Sequence, residues 1–134
     1  MMAISMMEAF GIELLKSNGI TFEQVQQQFA ENKSDFTIEE NFDFNVLKML
    51  FEEDQQAFKQ AYDGNYSVKF LTINGLRNIL RMRFGIPVEA YATLEAGNGL
   101  QGVPASAEVE QQLRAFVSSN WKVERHGETL TLYV

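Results

Sequence analysis

The sequence has no cysteine, a single histidine and only two prolines in 134 residues. Without cysteine the chain cannot form disulfides or a thiolate metal site, which fits a reducing compartment. No stretch approaches the roughly 18 consecutive apolar residues of a membrane span, and no basic segment precedes a long apolar run at the N-terminus. We therefore predict a cytoplasmic protein without a membrane segment or membrane partner, folded as one domain over residues 1–134.

The side chains that usually carry catalysis are also scarce. His126 falls in a predicted hairpin turn and has no thiol to activate, so no pair of nucleophile and base is indicated. Acid and base catalysis by two carboxylates needs one of them buried, whereas neighbouring acids on a helix, such as Glu52 and Glu53, usually face solvent. We predict no enzymatic activity, with no catalytic residue, no metal and no cofactor.

Charge is distributed unevenly along the chain. Residues Met1 to Ser67 hold twelve acidic side chains and four lysines, whereas Val68 to Val134 hold six glutamates and seven lysines or arginines, including all five arginines. The net charge of −7 therefore comes almost entirely from the first half. We divide the domain into an acidic helical half, 1–65, and a mixed half, 66–134. Because phosphate neutralisation supplies most non-specific affinity for nucleic acids, such a chain cannot bind them with its whole surface.

The spacing of apolar residues predicts the order of helices and strands. Helices are expected over 5–18, from Thr21 to about Asn32, with Gln24 completing a capping box, and from about Asp43 to Tyr62. The second half is expected to continue with a strand over 66–71, a helix over 72–84 and a strand over 88–95. It then has a glycine-rich loop over 97–105, a helix over 106–119 and a hairpin of 121–125 with 129–134. This order predicts an α+β fold. Its N-terminal helices precede a mostly antiparallel sheet of about four strands that ends in a hairpin.

One motif suggests phosphate binding. Residues 97–102 match the pattern G-x-G-x-x-G after a predicted strand, and Glu124 lies at the distance where a ribose-binding acid is expected. The phosphate site needs a helix that opens within the motif, but residues 103–105 delay the next helix to Ser106. We therefore favour a flexible loop over a phosphate cradle.

A second motif imitates a calcium loop. Asn41, Asp43, Asn45 and Glu52 have the spacing of four calcium ligands. Val46 occupies the position that needs glycine for its sharp turn. We interpret the segment as an acidic helix start, because acids such as Asp43 favour the positive end of a helix dipole.

Two charged residues interrupt apolar helix faces. Asp54 lies within the apolar arc of the third predicted helix, and Arg83 lies between Leu76 and Ile79 on the helix over 72–84. Because unpaired buried charges are costly, we consider a partly buried ion pair between Asp54 and Arg83. The alternative is that Asp54 caps a second helix segment starting at Gln55, while the arginine extends to solvent from a frayed helix end.

These observations favour a regulatory or interaction protein that binds another protein, expected to be basic, through an acidic helical face. The proposed contact residues are Glu39, Glu40, Asp43, Glu52 and Glu53. Opposite charge steers such partners together and disfavours wrong ones.

The alternative function is nucleic-acid binding. Arg77 and Arg81 share one helix face with asparagines, and Lys69 precedes them, so the three residues are candidate contacts to phosphates and bases. The last predicted helix and hairpin resemble, in order and length, the recognition helix and wing of winged-helix domains. This resemblance implies a nucleic-acid-binding C-terminal half.

Overall fold

The computed structural model describes residues 2–34, 36, 38 and 42–134. It has the predicted α+β fold, with N-terminal helices, a four-stranded antiparallel sheet and a C-terminal hairpin. The helices are α1 Met6–Ser17, α2 Phe22–Ala30, α3 Asn45–Glu53, α4 Gln55–Tyr62, α5 Ile73–Phe84 and α6 Ala107–Phe116. The strands are β1 Met2–Ile4, β2 Tyr66–Val68, β3 Ala92–Thr93, β4 Gly99–Pro104, β5 Lys122–His126 and β6 Thr129–Tyr133. Within the described ranges no helix is both long and apolar enough to cross a membrane.

The first two helices begin with capping boxes. The Thr21 side chain accepts a hydrogen bond from the Gln24 amide, and the Gln24 side chain accepts one from the Thr21 amide, as the sequence predicts. Ser5 and Glu8 form a second box at the start of α1. Each cap satisfies amides that the helix leaves unbonded and is worth about 1 kcal/mol. Met7, in the first turn of α1, is 57% exposed.

The single helix predicted from Asp43 to Tyr62 is two helices, α3 and α4. Asp54 adopts an extended backbone that ends α3, and its carboxylate accepts a hydrogen bond of 3.1 Å from the Ala57 amide at the start of α4. Both helices bury their apolar faces in the same core. The apolar spacing therefore continues across the break and does not reveal it.

A second, smaller sheet joins the two halves of the chain. In place of the strand predicted over 66–71, only Tyr66–Val68 form β2, which pairs in parallel with β1. The strand β1 was not predicted, since three residues are too few to establish an alternation. The helices α1 and α5 follow these two strands, and Met6 packs directly on Gly75. The N-terminal ends of α1 and α5 therefore lie side by side.

The four-stranded sheet has the order β3-β4-β6-β5, and all its neighbours are antiparallel. The strand predicted over 88–95 is wrong for most of its length. Residues 88–90 form a turn of 3-10 helix, and only β3 pairs at the edge of the sheet. Two of the four alternating apolar residues here, Val88, Ala90, Ala92 and Leu94, are alanines, and Val88 is 52% exposed. They offer too little apolar surface to favour a longer buried strand.

The segment 97–105, predicted to be a loop, contains β4, which lies between β3 and β6. One extra residue lies in β4 between Leu100 and Val103, forming a bulge in which Gly102 takes a φ of +73°. Both apolar side chains are fully buried although they are three residues apart. The bulge thus breaks the alternation by which a strand is recognised in a sequence.

The terminal hairpin is confirmed, with a turn of two residues, 127–128, where three were expected. Arg125 holds the hairpin against the start of α6, because its guanidinium donates to the carbonyl oxygens of Ala105 at 2.9 Å and Ser106 at 3.2 Å. It also binds the carboxylate of Glu110. Hydrogen bonds from Arg125, and then from Arg114, hold the pKa of Glu110 below its usual range.

One hydrophobic core contains residues of both halves. Aromatic contacts join α2, α3 and α4. The ring centroid of Phe51 lies 5.5 Å from that of Phe29 and 5.8 Å from that of Phe58. Leu100 and Leu132 extend the core to the four-stranded sheet. Burial of such side chains is the main favourable contribution to folding.

Candidate functional site

The acids proposed to bind a partner were Glu39, Glu40, Asp43, Glu52 and Glu53. Glu39 and Glu40 lie outside the described residues. Asp43 is exposed, and its carboxylate accepts a hydrogen bond of 3.0 Å from the amide of Asn45, the first residue of α3. This contact supports the interpretation of the segment as an acidic helix start.

Glu52 and Glu53 lie at the end of α3 and are both exposed. Glu52 lies 3.7 Å from the Lys48 ammonium, whereas Glu53 forms no ion pair with any described residue. Met49 lies three and four residues before these acids and therefore neighbours both on the helix surface. Its side chain is 70% exposed. We call Asp43, Met49, Glu52 and Glu53 the α3 surface; Met49 is the member that charge patterning missed.

The second candidate site lies on α5. Arg77 donates a hydrogen bond of 3.0 Å to Asn74 and a further one to Thr93 of β3, and Arg81 donates one of 3.3 Å to Asn78. Neither arginine forms an ion pair with a described carboxylate. We call Asn74, Arg77, Asn78 and Arg81 the α5 face. It carries positive charge on a strongly acidic protein.

Lys69 lies before α5 in a loop whose backbone is fixed on both sides. Its amide donates to Ile4, the Leu71 amide donates to Ser118, and the Trp121 indole donates to the Leu71 carbonyl at 3.0 Å. Between these bonds Phe70 is 83% exposed. No described contact joins Lys69 to Arg77 or Arg81, so the structure brings together only two of the three predicted basic residues.

Asp54 and Arg83 do not form the ion pair we considered. Asp54 is exposed and caps α4. Arg83 instead donates to the Gly64 carbonyl at 3.1 Å and to Gln112 at 3.2 Å. Its guanidinium also lies 5.3 Å from the ring centroid of Tyr66. A cation desolvated over aromatic rings is stabilised by their negative faces, so Arg83 needs no carboxylate.

A buried polar contact that the sequence did not predict connects α1 with β2. The hydroxyl of Tyr66 donates to Glu13 at 2.7 Å, and both residues are buried. Burial, and then the neighbouring carboxylate, raises the pKa of Tyr66 above its usual range. In the sequence, the one signal for this contact was the position of Glu13 in an apolar stretch of α1.

The remaining motifs do not converge on a chemical site. The glycine motif is a strand with a bulge rather than a loop before a helix, which leaves no helix N-terminus for a pyrophosphate. His126 is exposed at the end of β5, 3.6 Å from Glu124. Asn41 of the calcium-like pattern lies outside the described residues. Among the residues that are described, no three histidines or acids come together as metal ligands.

No protein family, curated protein or solved structure is significantly similar to this chain.

Proposed function

We propose that this protein is a cytoplasmic, non-enzymatic regulatory or interaction protein that binds a basic protein partner through the α3 surface. The observation that carries the proposal is the exposed Met49 beside the acidic side chains of Glu52 and Glu53. Large exposed apolar side chains are informative where charged groups surround them, because interfaces combine an apolar centre with a polar rim. The centre supplies affinity when it is desolvated, and the acids steer a basic partner to it.

The local charges support a basic partner. Among the acids that the structure describes, Lys48 pairs only with Glu52, and at 3.7 Å this surface contact is weak. Neither Glu53 nor Asp43 forms an ion pair with a described residue, and the hydrogen bond that Asp43 accepts uses one of its two oxygens. Lysine or arginine side chains of a partner would pair with these carboxylates. Regulation would follow if the partner uses the same basic surface to bind another acidic molecule.

The test is affinity capture from a cell extract, followed by binding measurements on the captured partner. The wild type is compared with Met49→Gln, with Glu52→Lys/Glu53→Lys, and with the control Glu108→Lys/Glu128→Lys, which changes net charge equally at two other exposed sites. We expect the partner to bind the wild type and the control, to bind both α3 variants at least about tenfold more weakly, and to lose affinity between about 50 and 200 mM salt. A partner that binds all four proteins equally well would reject the α3 surface as the interface.

Nucleic-acid binding through Lys69, Arg77 and Arg81 is the second candidate function. The observation in its favour is the pair of arginines on the α5 face that no described carboxylate neutralises. The exposed ring of Phe70 beside Lys69 adds a surface on which an unpaired base would stack. Fluorescence anisotropy of labelled single- and double-stranded oligonucleotides tests it, with Arg77→Ala/Arg81→Ala as the variant. Absence of binding at about 50 mM salt would eliminate this function.

A further inference from the structure

A groove of about 410 Å³ lies where the first turns of α1 and α5 meet. Its walls are mostly apolar, and they include the exposed Met7 and the half-buried Phe10 of α1. Phe42 forms a further part of the wall, with its ring centroid 5.6 Å from that of Phe10. The groove is thus an apolar surface on the outside of the core.

The groove exists because two glycines let the chain approach closely. A Cβ on Gly75 would overlap the sulfur of Met6, and a Cβ on Gly11 would lie 2.7 Å from the Phe42 ring. These contacts fix Met6 and Phe42 as the floor and wall between the helices. The parallel pairing of β1 with β2 brings the starts of the two helices together, and the two glycines then allow the close contacts that shape the groove.

The polar edge of the groove belongs to the α5 face. Asn74 and Asn78 line the groove, and each accepts a hydrogen bond from one arginine, Arg77 or Arg81. Residues four apart on a helix lie about 6 Å from one another along its axis. Arg77 and Arg81 are also four residues apart, so their side chains leave α5 one turn apart, as do two carboxylates at positions i and i+4 of a facing helix.

We propose that this groove binds an amphipathic acidic helix of a protein partner. Its apolar side chains pack on Met7, Phe10 and Phe42, and two of its carboxylates pair with Arg77 and Arg81. Arginine is suited to this role because its planar guanidinium binds a carboxylate through two hydrogen bonds. The excess negative charge of the protein does not prevent the contact, since salt screens exposed charges beyond about 8 Å at physiological ionic strength.

The combination of apolar and basic side chains at the site favours a peptide over a nucleic-acid backbone. A phosphate backbone gains affinity from many basic contacts and gains nothing from an apolar wall. Neither Arg77 nor Arg81 forms an ion pair with a described carboxylate, although Arg77 also donates to Thr93. The asparagines to which the two arginines donate line a groove together with methionine and phenylalanine side chains, a combination with which a groove binds an amphipathic helix. The acidic α3 surface lies on another helix, so this inference does not depend on the function proposed above.

Fluorescence anisotropy with a defined peptide tests the proposal. The probe is a labelled helical peptide with glutamates at positions i and i+4 and leucines on the adjoining face; the control peptide has glutamine in place of both glutamates. The protein variants are Arg77→Ala/Arg81→Ala and Met7→Gln, compared with Lys33→Ala/Lys122→Ala, which removes the same charge at two other exposed sites. Circular dichroism verifies that each variant is folded.

We expect the glutamate peptide to bind the wild type and the lysine control alike. Removing the two arginines, changing Met7 to glutamine, or using the glutamine peptide should each weaken binding about tenfold. Equal binding of the two peptides, or full binding by the Met7 variant, would overturn the proposal, as would no binding of the glutamate peptide at about 1 mM. An oligonucleotide that displaces the peptide and binds the Met7 variant fully would assign the α5 face to nucleic acid instead. Self-association in sedimentation velocity that is lost without the two arginines would assign the groove to a second copy of the chain and overturn a separate partner.

Discussion

The hydroxyl of Tyr66 donates a hydrogen bond of 2.7 Å to the carboxylate of Glu13, across 53 positions of sequence. Tyr66 is fully buried and Glu13 is 2% exposed. The contact attaches the first helix of the acidic half to the first strand of the mixed half. Because a buried carboxylate without a donor is costly, this bond constrains how the two halves pack.

Replacing Tyr66 with phenylalanine should lower the free energy of unfolding by about 1–3 kcal/mol, because a carboxylate oxygen of Glu13 loses its donor. Urea denaturation followed by circular dichroism measures the change. The matched control is Tyr133→Phe. The Tyr133 hydroxyl donates to the exposed Glu124 at 2.9 Å, so its removal should cost less than removal of the Tyr66 hydroxyl. If both variants lose the same free energy of unfolding, the buried hydrogen bond contributes no more to stability than the exposed one.

Alkaline pH should destabilise the fold through its tyrosines. Burial raises the pKa of Tyr62, Tyr66 and Tyr91 from the ordinary value of 10.0, and a hydrogen bond to Glu124 raises that of Tyr133. Since the folded pKa values lie above the unfolded ones, the stabilisation is complete below pH 10 and is lost as the pH rises further. The ultraviolet absorbance of tyrosinate should therefore rise together with loss of circular dichroism. Tyrosines that titrate near pH 10 in a folded protein would contradict this prediction.

Asp54 should behave as a helix cap. Its replacement by alanine should lower the free energy of unfolding by about 0.5–2 kcal/mol, and replacement by asparagine should cost less, because the amide oxygen still accepts from Ala57. Thermal denaturation of these variants, alone and combined with Arg83→Lys, measures both effects. The Asp54 and Arg83 changes should be additive within about 0.5 kcal/mol. A larger coupling free energy between the two changes would indicate an ion pair between Asp54 and Arg83 and contradict the structure.

Gly99→Ala should be strongly destabilising, by about 2–3 kcal/mol or more, because its Cβ would overlap the Leu132 carbonyl and lie 2.7 Å from the Tyr133 Cα. Backbone of a paired strand cannot move aside as a flexible side chain can. The control is Gly97→Ala, which has open space but a φ of +75°, so only the backbone strain of about 1 kcal/mol applies. Guanidinium denaturation compares the two. A Gly99 variant as stable as the Gly97 variant would mean that β4 is not held as closely to β6 as the structure shows.

The local signals in the sequence predicted the fold class and several helix ends accurately. Thr21 with Gln24, Thr72, Gly85 and Ser106 are caps in the structure, as their residue types indicate. A cap depends only on residues within one turn of helix, which is why it can be read without a tertiary structure. At Asp54 the sequence left two alternatives, and the structure confirms the one in which Asp54 caps a second helix segment starting at Gln55. The surroundings of Arg83 depended on neighbours in space and were not predicted.

The strand errors have a different cause. The bulge at Gly102 and the close approach at Gly99 exist only because β6 lies beside β4. Within the sequence they are a glycine-rich stretch without alternation, which is also the pattern of a loop. The alternating residues 88–95 gave the opposite error, because alternation of small side chains carries little energy of burial.

Some features of the candidate sites follow from the sequence, and others follow only from the tertiary structure. The sequence by itself determined the acidic surplus of the first half, the arginines on one face of the helix over 72–84, and the absence of cysteine chemistry, because each is a matter of composition or helical spacing. Only the tertiary structure decided that Met49 and Met7 are exposed, that Arg83 lies on aromatic rings, and that a groove forms beside α5. These features arise when segments distant in sequence pack together, and the free energy of that packing is not contained in any local pattern.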